Sequence, residues 1–189
     1  ATAERVAAQE IEAAAGPAVN RLVIDLQTND IIFDPHRNQI IASIPGSNVS
    51  IGNSVVTIDP VTGAVGPATF VGSEPDKLAL SADGSTLYVG LNGAGSVAQV
   101  DWQTKSVVRT MPLGGGYAGP LRAEDIEVVP NDATRVVVSK KDPNISPGFM
   151  GLVVFDDGVA LPKSTPSHTG SSVIEFGATP SRLYGYNHY

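Results

Sequence analysis

Few side chains in this sequence of 189 residues are equipped for chemistry. The three histidines, His36, His168 and His188, are scattered, and none forms the His-x-x-x-His pair of a hydrolytic metal site. Ser171 and Ser172 lie close to His168 in sequence only, and the G-x-S-x-G nucleophile elbow is missing. No catalytic or metal-ligating set emerges. Acidic residues come nearer to a pattern. Asp30, Asp76, Glu124 and Asp125 recur just ahead of or within short apolar runs. Carboxylates repeated around a channel would suit Ca2+, which takes oxygen ligands, whereas capping of repeated turns explains the same spacing without a metal.

Two glycine-rich stretches invite a reading as anion cradles. "GAGSVA" at Gly93–Ala98 matches G-x-G-x-x-A, but that fingerprint needs a helix after it, and a strand-like "SVAQVD" follows. A hairpin between strands is the expected structure. "LGGGYAGP" at Leu113–Pro120 reads as a connection between repeats, with Tyr117 and Arg122 placed to meet a ligand. "DPNISPG" at Asp142–Gly148 is the most idiosyncratic loop, and loops carry function more often than strands. The candidate binding residues are therefore Tyr117, Arg122, Asp125, Asp142 and Asn144, on loops or at strand starts.

Composition bounds the partners. The formal net charge is −7, which opposes the basic footprint that nucleic-acid binding requires. There is no cysteine, so disulfides, zinc–thiolate sites and thiol nucleophiles are excluded. No apolar run is long enough for a membrane-spanning helix. Hydrophobic content of 42% supplies a core, and 20 Gly with 14 Pro suit many short strands joined by turns.

The elements that must position these side chains repeat. "NDIIFDPHRNQIIAS", "DKLALSADGSTLYVG", "EDIEVVPNDATRVVVS" and "SVIEFGATPSRLYGY" share one plan: apolar strand, polar turn, apolar strand. Ile40, Leu87, Val136 and Leu183 hold equivalent places at spacings of 47, 49 and 47 residues. A third strand then ends at Asp59, Asp101 or Asp156, and a turn leads to a fourth. In "DPVTG" Pro60 presets φ, Asp59 bonds the backbone ahead and Gly63 accepts a left-handed conformation. Four short antiparallel strands at this period predict an all-β fold of β-propeller blades. Three complete four-stranded repeats occupy about 30–76, 77–124 and 125–172, and a partial fourth occupies 173–189. "NRLVIDLQ" at Asn20–Gln27 reads as one further strand ahead of the first repeat. "ATAERVAAQEIEAAA" reads as a short N-terminal helix over 1–16, ended by Gly16-Pro17.

"PDKLALSADGSTLYV" at Pro75–Val89 resembles the blade core of the YVTN/YncE-like family of bacterial β-propellers. The first repeat departs from it with His36-Arg37-Asn38, and the third with Asn131-Asp132-Ala133, in place of the Asp-Gly turn. The resemblance covers roughly 21–189. It implies a ring of more blades than these repeats provide, so the sequence reads as part of a larger propeller. A half-ring completed by a second chain is the other possibility. The expected function is a non-catalytic extracytoplasmic propeller (periplasmic, secreted or cell-surface) that binds a protein or surface glycan or helps to build an assembly. Two alternatives remain: a hydrolase resembling propeller lactonases, its channel site completed by other blades, and a subunit docked through the N-terminal helix.

Overall fold

A computed structural model describes residues 21–168 and 170–187. The helix expected over 1–16 lies outside the described residues, as does His188. Within them the chain is all β, with no helix. The first sheet holds β1 (Asp30–Asp34), β2 (Gln39–Ile44), β3 (Ser54–Ile58) and β4 (Thr69–Phe70). The second holds β5 (Pro75–Leu80), β6 (Thr86–Leu91), β7 (Ser96–Asp101) and β8 (Ser106–Pro112). The third holds β9 (Arg122–Val128), β10 (Arg135–Lys141), β11 (Phe149–Asp156) and β12 (Val159–Ala160). A two-stranded sheet of β13 (Val173–Phe176) and β14 (Leu183–Tyr186) follows. Each four-stranded sheet is an antiparallel meander in chain order, one blade per repeat.

The first strands of the blades pack side by side, β1 on β5, β5 on β9 and β9 on β13, so these four form the inner edge. Successive side chains on a strand point to opposite faces. In β6, Leu87 and Val89 join a core shared with the first blade, while Tyr88 joins a core shared with the third. Burial on both faces explains why "TLYVGL" is almost continuously apolar rather than alternating with polar residues.

Polar contacts lock neighbouring blades. Asp34 is fully buried at the end of β1, where it pairs with Arg37 at 2.9 Å and accepts the Trp102 indole N–H at 3.1 Å. Burial pushes its carboxyl upward, but the hydrogen bonds from Arg37, Trp102 and His36 outweigh that and hold it below its ordinary value. Arg37 and His36 also reach the carbonyls of Gly84 and Ala82 in the second blade. This is why the first repeat can dispense with Asp-Gly: its turn residues face inward to the next blade, and Asn38 takes the left-handed φ of 51°.

Two elements differ from expectation. β4 is only two residues long, because Pro67 has no N–H for the ladder and a single bridge, Ile58 to Val65, pairs the segment before it. The strand expected at Asn20–Gln27 does not form in its described part, 21–27. Leu26 instead packs with Ala42, Ile44, Val56 and Ile58 on the first face of the first blade. Leu22 and Val23 are exposed.

Candidate functional site

The inner strands begin at one end of the molecule, and a cavity of about 510 Å3 opens there. Asp76 and Lys77 of β5, with Asn92 just after β6, form one wall. Arg122, Ala123 and Glu124 of β9, with Lys141 and Pro143, form the second, and Val173 of β13 closes the third. Blades two, three and four thus all contribute. Within the cavity Glu124 pairs with Lys141 at 2.9 Å, and Asp76 accepts the Asn92 amide at 2.5 Å. Asp125, outside the cavity lining, feels the positive charge of Lys77.

Asp125 is held in place as an inter-blade clamp. One carboxylate oxygen accepts the N–H of Ile126 at 3.0 Å and the other accepts the N–H of Ile174, in the next blade, at 2.7 Å. Burial keeps this carboxyl above its ordinary value against both hydrogen bonds. Asp30 does the same between the first and second blades, accepting from Ile31 at 2.9 Å and from Leu78 at 2.9 Å. The acidic residues that recur at blade starts are therefore engaged with protein donors or cations in every case. Groups of three or more His, Asp and Glu side chains arranged to hold a metal ion do not occur among the described residues.

Of the other candidates, Tyr117, Asp142 and Asn144 come together, but around a loop rather than a cleft. Asp142 is fully buried and accepts the N–H of Ala118 at 2.9 Å and of Asn144 at 3.0 Å. The Asn144 amide donates to the Ala118 carbonyl at 3.0 Å. This pins the glycine-rich connection after β8 to the loop after β10. Gly116 sits where any Cβ would collide with the Asp142 carboxylate. Tyr117 is 74% exposed and stacks on His168 with ring centroids 6.3 Å apart. "GAGSVA" is a β6–β7 connection with Gly95 at φ 58°, and no helix follows. Of the five candidates, only Arg122 lines the cavity. Lys77 and Asn92, which sequence reasoning passed over, line it too, together with Lys141.

A second, more apolar groove of about 440 Å3 lies between the third blade and the two-stranded sheet. Val137, Leu152 and Val154 face Phe176 and Leu183 across it.

No protein-family model and no curated protein matches the chain. Solved structures do. A chain of Kuenenia stuttgartiensis hydrazine synthase superposes with a TM-score of 0.58 at 23% identity, over 80% of this chain and 40% of that one. The β-propeller domain of Myceliophteria thermophila Cps50 (Swd1) gives 0.62 at 15% identity, over 87% and 50%. The fold is that of a β-propeller. U3-55K adds a match at 0.58 and 11% identity, over 78% of this chain and 42% of its own. The chain thus spans half or less of each of these three chains. No helix among the described residues is long and apolar enough to cross a membrane.

Proposed function

We propose that the chain is a non-catalytic part of a larger β-propeller of the YVTN/YncE-like type, acting outside the cytoplasm in partner binding or assembly. The observation that carries this is the inner edge of the first blade. Leu78 and Leu80, Ile126 and Val128, and Ile174 and Phe176 each pack on the blade before them. The corresponding pair in β1, Ile31 and Phe33, is 58% and 53% exposed. Tyr184 and Tyr186 are likewise exposed on β14 at the opposite end. Large apolar side chains at both ends of an incomplete ring mark surfaces that another blade or chain covers. The acidic composition opposes a nucleic-acid partner and leaves a protein or surface glycan as the proposed one.

Placing a charge on the first-blade surface tests the reading. In the native protein, Ile31→Asp and Phe33→Asp are expected to lower the melting temperature by several degrees and to weaken assembly. Substitutions that leave both unchanged would show that this face meets only water.

A further inference from the structure

The blade repeat gives every inner strand an equivalent residue just before its first inward-packed apolar side chain: Asp30, Lys77, Asp125 and Val173. In the first and third blades that residue is the aspartate clamp onto the next blade. The second blade places a lysine there, which cannot accept the N–H of a neighbouring strand. The fourth blade lacks the clamp as well, with Val173 in its place, but only the second blade puts a charge of opposite sign there. Lys77 instead lines the 510 Å3 cavity together with Arg122.

The charges around the cavity fall into two groups. Glu124 and Lys141 pair with each other, and Asp76 is engaged by the Asn92 amide. The side chains of Lys77 and Arg122 make no hydrogen bond or ion pair with another described residue, although the clamped Asp125 lies within electrostatic reach of Lys77. Three cations and two carboxylates line this concave site, a net charge of +1 that favours an anion, and arginine presents a planar fork matched to carboxylate or phosphate oxygens. The site does this against an overall charge of −7, so attraction is confined to the cavity.

We propose that Lys77 and Arg122 form a binding site for a small oxyanion, a carboxylate or phosphate group, at the mouth of the inner strands. The inference is independent of how the ring is completed, because blades two, three and four supply every wall. Calorimetric titration of the native protein with inorganic phosphate and, separately, with succinate tests it. At least one is expected to bind at millimolar concentration or tighter, more weakly as salt rises. Arg122→Gln and Lys77→Gln are each expected to weaken that binding at least tenfold. Lys77→Asp, the residue that the first and third blades use, is expected to abolish it while the protein still melts cooperatively. Lys163→Gln, in the separate apolar groove, is expected to leave it unchanged. Absence of binding by both probes, or equal binding by the Lys77 and Arg122 variants, would overturn the proposal.

Discussion

Glu127 shows how one residue records its place in the repeat. It occupies the inner-strand position that Ile32 and Ala79 fill with apolar side chains in the first and second blades. Burial, and after it the negative charges of Glu175 and Asp125, push its carboxyl up to about 8. An acid whose folded value lies above its unfolded value keeps its proton longer when folded, so stability falls as pH rises from about 4.5 toward 8. Glu127→Gln is therefore expected to raise the melting temperature at pH 7–8 and to change nothing below pH 4. A thermal melt series across pH reads this directly, and a flat difference would contradict it. Asp34 works with the opposite sign. Its lowered carboxyl contributes stability above the unfolded value of 3.8, lost as pH falls through the folded value. Asp34→Ala leaves the Trp102 N–H and the Arg37 charge without their partner and is expected to cost about 3 kcal/mol in denaturant unfolding. Trp102 emission should shift to the red as its pocket opens.

At the scale of elements, the turns were legible from sequence because their chemistry is local. Asp59 accepts the N–H groups of Val61 and Thr62, and Asp101 those of Gln103 and Thr104, as Asx turns require. The three four-stranded repeats and the two-stranded fourth were legible for the same reason, since strand pairing joins segments adjacent in sequence. The cavity was not. Its walls come from residues as far apart as Asp76 and Val173, and although Asp76, Arg122 and Glu124 each draw notice in the sequence, nothing local shows that they share one cavity. The useful signal is the reversed charge at Lys77, visible only once Asp30 and Asp125 are known to bond the next blade. The Asp142 loop reads in the sequence as a binding loop, and the structure adds that Asp142 and Asn144 hydrogen-bond to the connection after β8. The clamps make a prediction at this scale. Asp125→Ala removes one charged hydrogen bond to β13 and is expected to cost about 1.5–3 kcal/mol. Amide exchange at Ile174 should accelerate, while exchange in β6 and β7 stays unchanged. Uniform acceleration across the blades would argue against a local clamp.

At the scale of the molecule, the blades are mutually supporting. Cores between the first and second blades and between the second and third are closed by side chains from both partners. The contact between the third blade and β13–β14 is closed at Ile174 but leaves Leu152, Val154 and Leu183 only partly covered. Adding neighbours at both ends would finish what the repeat begins, by the same alternation of side chains that built the interior. Such a ring needs no special interface chemistry, because each blade already carries one apolar face for each neighbour.

The most direct test of this account is the particle mass of the native protein in solution, measured by native mass spectrometry together with light scattering. A particle clearly heavier than the 19.5 kDa of these 189 residues is expected, through further blades or through an associated chain. A stable, cooperatively folded monomer of 19.5 kDa would contradict it, since Ile31, Phe33, Tyr184 and Tyr186 would then be native surface.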